Sequence, residues 1–148
     1  MNAAGFEFPD DLHYLVEHQV WVRLEADGTA TVGITALGIA QAGEIYMCRP
    51  KTVGSEVEQG RSIAVVELAK AIVSVKSPLR GTVLAVNERL AATPELVHRD
   101  PYGEGWLARV RPADFEADRA ALLHGEPVAA AMAHHAWLSR IGNEGENP

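Results

Sequence analysis

Few side chains in this chain offer chemistry, and the most accessible candidate is Lys70. It lies in the stretch 61–78, between two β-rich runs at 63–66 and 72–75. A primary amine on a flexible four-carbon stem can be acylated, which removes its charge and turns the side chain into a long arm. Ser77-Pro78 follows the second run, and a proline cannot donate to a strand ladder, so a strand should stop there or lie at an edge. The pattern predicts a hairpin with Lys70 near its tip. No Asn-Gly or Asp-Gly marks a two-residue loop, and residues 67–71 have good helix propensity, so one buried helical turn is the rival reading. On pattern alone, Lys70 reads as a solvated surface lysine.

The other reactive types are less promising. Cys48 is the single cysteine, which rules out an internal disulfide and suits a reducing compartment. It ends the apolar run Ile45-Tyr46-Met47-Cys48 and reads as a packing residue, although Arg49 and Lys51 nearby are of the type that favours a thiolate. Of six histidines, His134 and His135 are adjacent and diverge by about 100° on a helix. His13, His18, His98 and His124 are scattered without a ligand spacing, so no metal site is expected. Ser55, Ser62, Ser74, Ser77 and Ser139 lack a nucleophile-elbow context, and neither a P-loop nor a dinucleotide fingerprint is present. Intrinsic catalysis is not expected.

The elements that must position Lys70 read as short strands. Runs at 19–24 and 29–34 flank Asp27-Gly28, a hairpin signal, and Trp21 should pack inward. Residues 36–43 have the composition of a short helix closed by Gly43, followed by a strand over 44–48 that Pro50 interrupts. Residues 53–60 read as a turn, a short extended segment and a glycine turn; 78–81 turns into a strand at 82–86. The turn-rich connection 93–105 leads to a strand at 106–110. Beyond Pro112, Asp114 should cap a helix over 115–124 that stops at Gly125. A second helix should begin at Pro127 and run to about Ile141, with Met132, His135 and Ala136 on its packing face and a fraying tail over 143–148.

The chain has 148 residues, 47% of them hydrophobic, enough for one domain with a real core. Thirteen basic against twenty acidic side chains leave a formal charge of −7, which disfavours nucleic acid or an anionic membrane surface as partners. The N-terminal residues lack a basic and apolar leader pattern, and no stretch approaches the roughly 20 apolar residues of a spanning helix. A cytoplasmic protein is expected.

One reading goes beyond pattern. Glu17-His18-Gln19-Val20-Trp21, Val32-Gly33-Ile34-Thr35, Gly43-Glu44-Ile45 and Val53-Gly54 are followed in register by Val65-Val66-Glu67-Leu68-Ala69-Lys70-Ala71. Ser77-Pro78-Leu79-Arg80-Gly81, Thr93-Pro94-Glu95-Leu96-Val97 and Asp100-Pro101-Tyr102-Gly103-Glu104-Gly105-Trp106 complete the series. The text from His13 to about Phe115 resembles the glycine cleavage H-protein family of lipoyl carriers. The resemblance implies a β-rich fold, all-β to α+β: a flattened lipoyl/biotinyl-type barrel-sandwich hybrid with short helices and a helical C-terminal extension. It divides the chain into an N-terminal segment 1–12, a lipoyl-binding domain 13–112 and an extension 113–148.

The resemblance also makes Lys70 the residue joined by an amide to lipoic acid, with Glu67, Leu68, Ala69 and Ala71 as recognition residues for a ligase or partner. Tyr102, Gly103, Gly105 and Trp106 become candidates for a cleft where the arm rests. The protein would then be a non-catalytic carrier, loaded by a lipoate-protein ligase or the lipoyl-synthesis machinery. Biotin is disfavoured because alanines, not methionines, flank the lysine.

Departures from the family pattern bear on the partner. The usual Glu-Ser-Val-Lys-Ala-Ala-Ser segment reads Glu67-Leu68-Ala69-Lys70-Ala71-Ile72-Val73 here, and Tyr46-Met47-Cys48-Arg49-Pro50-Lys51 replaces an acidic and apolar segment. These changes look more like the H-like lipoate-binding proteins of sulfur oxidation, which serve a heterodisulfide-reductase-like complex. That pathway is the expectation. The alternative is glycine cleavage, with glycine decarboxylase, aminomethyltransferase and dihydrolipoamide dehydrogenase as partners. A non-lipoylated interaction module is the remaining alternative; it predicts that Lys70→Arg is silent.

Overall fold

A computed structural model describes the backbone of residues 1–146 and the side chains of residues 1–140. In chain order, β1 (Asn2–Ala3) and β2 (Phe6–Glu7) form a small ribbon. Next come β3 (His13–Leu15), β4 (Val20–Leu24), β5 (Ala30–Ile34), α1 (Ala36–Ala42), β6 (Met47–Pro50) and β7 (Glu56–Val57). The central hairpin is β8 (Ser62–Glu67) and β9 (Ile72–Lys76), followed by β10 (Gly81–Val86), α2 (Leu96–Arg99) and β11 (Ala108–Pro112). The chain closes with α3 (Phe115–Asp118) and α4 (Pro127–Glu146).

Two antiparallel sheets hold the core between them. The larger has the order β3-β4-β5-β11-β10-β7, and the smaller has the order β6-β8-β9. They face each other as a barrel-like sandwich without closing, so β6 and β9 remain edge strands. Val20, Val22, Val32, Val83, Leu107 and Val110 from the larger sheet meet Ile63, Val66 and Val75 from the smaller. Alternation along β4 sends Trp21 the opposite way, into a second core with Phe8, Leu12, Tyr14, Val128 and Met132. Trp21 is therefore fully buried as expected, but against the C-terminal helix rather than inside the sandwich.

Local chemistry explains most of the elements. In the β4–β5 turn, Asp27 Oδ1 accepts from the Thr29 amide at 3.0 Å and the Thr29 hydroxyl at 2.6 Å, and Gly28 has φ +87°. Thr35 caps α1 by accepting from the Gly38 amide at 3.0 Å, and Gly43 ends the helix at φ +78°. Pro50 closes edge strand β6, where its missing donor faces no partner strand.

Several boundaries differ from expectation. The strand expected over 44–48 is β6, displaced to Met47–Pro50, because the Ile45 amide is used by His98 Nε2 at 3.1 Å. The strand expected at 106–110 is Ala108–Pro112. Asp114 caps a helix as anticipated, but α3 lasts four residues and gives way to a single 3-10 turn, Arg119–Ala121. The expected helix to residue 124 fails because Leu123 pairs with Tyr14 in both directions, at 2.8 and 2.9 Å. A tertiary backbone pairing outweighs the local helix propensity there. Helix α4 begins at Pro127 as expected but continues to Glu146 through Gly142. The rest of the tail, residues 147–148, where fraying is expected, lies outside the described residues. No helix among the described residues is long and apolar enough to cross a membrane.

Candidate functional site

Lys70 stands at the tip of the β8–β9 hairpin. The ladder runs Val65 to Ser74, Val66 to Val73 and Glu67 to Ile72, after which the Leu68 amide donates to the Ala71 carbonyl at 2.8 Å. Ala69 and Lys70 are the two residues outside that bond. Neither has positive φ, so the tip is not one of the primed turns that Asn-Gly or Asp-Gly would mark. The hairpin reading therefore holds, and the buried helical turn does not form. Leu68 packs against the main core and anchors the tip, while Ala69, Lys70 and Ala71 are exposed. Among the described residues no ion pair holds the Lys70 ammonium. Glu67, half-buried, is the last ladder residue before the tip, between Met47 and Ile72.

The surface around this lysine is unusually apolar. Ile72 is 71% exposed, Tyr46 54% and Val73 43%. Beside the hairpin a groove of about 160 Å³ separates strand β9 from α1 and α4. Ile34, Ala42, Ile45, Val66, Val73 and Val75 give it apolar walls. Its polar lining comes from Glu17, His18, Gln19, Gln41, Ser74 and His135. Ser74 Oγ is buried without a hydrogen-bond partner among the described residues, which is costly unless something else completes it. Burial holds His135 below the usual imidazole range.

Gln19 sits where the walls meet. It is 4% exposed and left-handed, with φ +55°, a conformation that costs a non-glycine residue about 1–2 kcal/mol. Its side-chain oxygen accepts from the Thr35 hydroxyl at 2.6 Å, and its nitrogen donates to the Val16 carbonyl at 2.8 Å and to Met132 Sδ at 3.1 Å.

Tyr102, Gly103, Gly105 and Trp106 do not line this groove. The Tyr102 hydroxyl donates to the Glu7 carbonyl at 2.8 Å and accepts from the Ala36 amide at 3.0 Å, and burial pushes its pKa up to about 12. Tyr102 and Trp106 pack on the second core, while Asn87 donates to the Glu104 and Trp106 carbonyls at 2.7 and 2.9 Å. A side chain at Gly105 would run into the Leu96 and Asp100 carbonyls. The loop is a brace for the outer face of the larger sheet. A depression of about 640 Å³ on the opposite face of α1, between Phe6 and His98, includes none of the hairpin.

Cys48 and His13 are buried. Cys48 is 3% exposed and burial pushes its thiol up to about 12, so Arg49 and Lys51 do not produce a thiolate. His13 stacks on His124 with ring centroids 4.2 Å apart and is held down to about 4 by burial, then by His124 and Arg119. No cluster of three or more metal-ligating side chains exists among the described residues.

Sequence reasoning missed Gln19, Ser74 and the groove role of His135. A left-handed glutamine leaves no sequence signal. Ser74 left a faint one, as the polar residue in an otherwise β-branched run. His135 was expected on a packing face, and it also reaches the groove.

Comparison with known proteins draws these features together. The family model described as "Glycine cleavage H-protein" matches residues 12–135. Glycine cleavage system H protein 2 of Aquifex aeolicus is 43% identical over 128 residues, covering 86% of this chain and 80% of that protein. The H protein of Marinobacter nauticus is 43% identical over 129 residues, covering 87% and 95%. The crystal structure of a glycine cleavage system H protein from Mycobacterium marinum superposes with a TM-score of 0.66 at 31% identity, over 72% of this chain and 87% of that one.

Proposed function

The chain belongs to the glycine cleavage H-protein family of non-catalytic carriers of covalent lipoic acid, and on that premise we propose that Lys70 is its attachment residue. The carrying observation is an exposed lysine on a two-residue hairpin tip beside a groove of mixed apolar and polar lining. The fit follows from lengths. From the Lys70 Cα to the dithiolane ring an extended lipoyl-lysine has about eleven bonds of ~1.5 Å, a zig-zag reach of roughly 14 Å. Four residues of strand, from Lys70 to Ser74, span about 13 Å. The aliphatic part of an arm laid along β9 would pass Ile72 and Val73, and its end would reach the level of Ser74. The groove thus takes the place of the Tyr102–Trp106 loop as the proposed resting site.

The chain's own residues bind and present; none is placed to do chemistry. Leu68 fixes the tip from below, Ala69 and Ala71 leave the amine open to a ligase, and Glu67 is the proposed recognition carboxylate. Once attached, the dithiolane supplies a sulfur pair that can hold a covalent cargo and take up two electrons. Residues 13–112 are the proposed carrier unit and 113–148 the proposed extension, of which Phe115, Leu122, Val128 and Met132 pack on the two cores.

We infer that the cargo is the aminomethyl group of glycine cleavage, with glycine decarboxylase, aminomethyltransferase, dihydrolipoamide dehydrogenase and a lipoate ligase as partners. The relatives named as H proteins of that system support this reading over the sulfur pathway expected from the departures. The second reading, sulfur oxidation with a heterodisulfide-reductase-like complex, keeps one observation. The substituted segments 46–51 and 68–73 present exposed Tyr46, Ile72 and Val73 around the attachment point. Peptide mass mapping of protein from its native host separates the two. An aminomethyl mass on the Lys70 peptide is expected; extra sulfur there selects the second reading, and an unmodified Lys70 removes both.

A further inference from the structure

Strained, buried, non-glycine backbone is uncommon and concentrates where the surrounding structure has a use for it. Besides Ala4 in the N-terminal ribbon, Gln19 is the non-glycine residue with positive φ among those described. Its two amide protons and its oxygen are all engaged, so the side chain has no free donor for a ligand. What it touches is the pair of helices forming one wall of the groove.

On the α1 side, Gln19 holds the capping residue Thr35, and its Cβ and carbonyl lie so close to Gly38 that no side chain would fit there. On the α4 side, it reaches Met132 Sδ at 3.1 Å across 113 positions of sequence. Met132 is one turn before His135, which faces the groove. A second amide, Gln41 Nε2, ties α1 to Ser139 Oγ at 3.0 Å one turn further on.

We propose that Gln19 is the positioning residue of the groove, holding α1 and α4 at the spacing that lets the groove shelter the distal half of the lipoyl arm. This inference rests on the arm-and-groove reading above. Without the amide, α4 keeps its apolar seat through Val128 and Met132 but loses the directional bond to Gln19, one turn from His135, and among the described residues is tied to α1 only through Gln41 and Ser139. The wall then drifts and the arm spends more time in solvent, while the hairpin tip, which Gln19 does not touch, still accepts lipoate.

The test uses the lipoylated full chain as wild type, Gln19→Leu and Met132→Leu. The leucine at 132 removes the sulfur acceptor at nearly constant volume. Reduction of the dithiolane by tris(2-carboxyethyl)phosphine is timed against free lipoamide, and the Gln19 side-chain amide is followed by proton–nitrogen correlation before and after lipoylation. The wild-type arm should be reduced roughly fivefold or more slowly than free lipoamide, and both variants should come within about twofold of it, as a shift from a mostly sheltered population requires. The Gln19 amide signals should move on lipoylation, and ligase loading of the apo variants should match wild type. Should Gln19→Leu fail to fold, Met132→Leu carries the same comparison. If the wild-type arm is reduced as fast as free lipoamide, the groove reading falls and this inference falls with it. If wild type is protected and the folded variants are equally protected, Gln19 merely packs, and this inference alone is overturned.

Discussion

The Leu68 amide and the Ala71 carbonyl are joined by a 2.8 Å hydrogen bond, and that bond decides which residue the hairpin presents. It closes the ladder just before the tip and leaves Lys70 exposed while Leu68 points into the core. Lys76, at the other end of β9, is paired with Ser62 and half-buried. Attachment should therefore be selective. Lys70→Ala is expected to fold with a melting temperature within a degree or two of wild type, since an exposed side chain is lost. Intact mass after incubation with a lipoate ligase should show no addition. A lipoyl mass on the Lys76 peptide of that variant would place the site elsewhere.

Gly33 and Trp21 make a second close pair. A Cβ on Gly33 would enter the Trp21 indole, whose nitrogen donates to the Ile34 carbonyl at 3.2 Å and the Pro101 carbonyl at 3.1 Å. Gly33→Ala should force the ring off both acceptors and destabilise the protein by about 1–3 kcal/mol, the usual cost of overpacking. Urea denaturation measures this, and a midpoint equal to wild type would mean that the ring has room the packing does not suggest.

The pH dependence of stability should carry the mark of His13. Its pKa falls from 6.5 to about 4, through burial first and then His124 and Arg119. In the unfolded chain the imidazole takes up a proton near pH 6.5, and in the folded protein only near pH 4. Stability from this group is therefore complete above about pH 6.5 and is lost as pH falls from there toward 4. The loss should be on the order of 2 kcal/mol. His13→Phe keeps a ring against Phe115 and His124 and should flatten that slope. Denaturation curves at pH 7 and pH 4.5 compare the two proteins; equal losses would assign the effect to other groups.

How much of this was legible in the sequence varies by residue. The Asp27-Gly28 turn, the Gly43 stop and the Asp114 cap were readable because each rests on local chemistry, whereas the hairpin around Lys70 was readable only from its two flanking β-rich runs, with no turn signal at its tip. Where expectation failed, a distant partner had intervened. Leu123 leaves its expected helix to pair with Tyr14, and Ile45 is drawn out of its expected strand by His98. The groove was not legible because its walls come from the turn over 17–19, β5, α1, β8, β9 and α4, and their meeting is set by packing. The motif Asp100 to Trp106 was recognised from resemblance, yet a motif carries no coordinates, and its loop proved to brace the second core.

Cys48 gives a last contrast between sequence context and burial. Two basic neighbours suggest an activated thiol, but Arg49 Nη2 reaches the Met47 sulfur at 3.3 Å, and the Cys48 side chain turns inward opposite Val66. With its pKa pushed up to about 12, almost no thiolate exists at neutral pH, and the thiolate is the reactive form. Cys48→Ala should therefore leave lipoate loading unchanged, while costing about 1 kcal/mol for the small void it creates. Native protein should react with a maleimide far more slowly than the same chain in denaturant. Rapid labelling of the folded protein, or loss of loading in the alanine variant, would restore a chemical role to this residue.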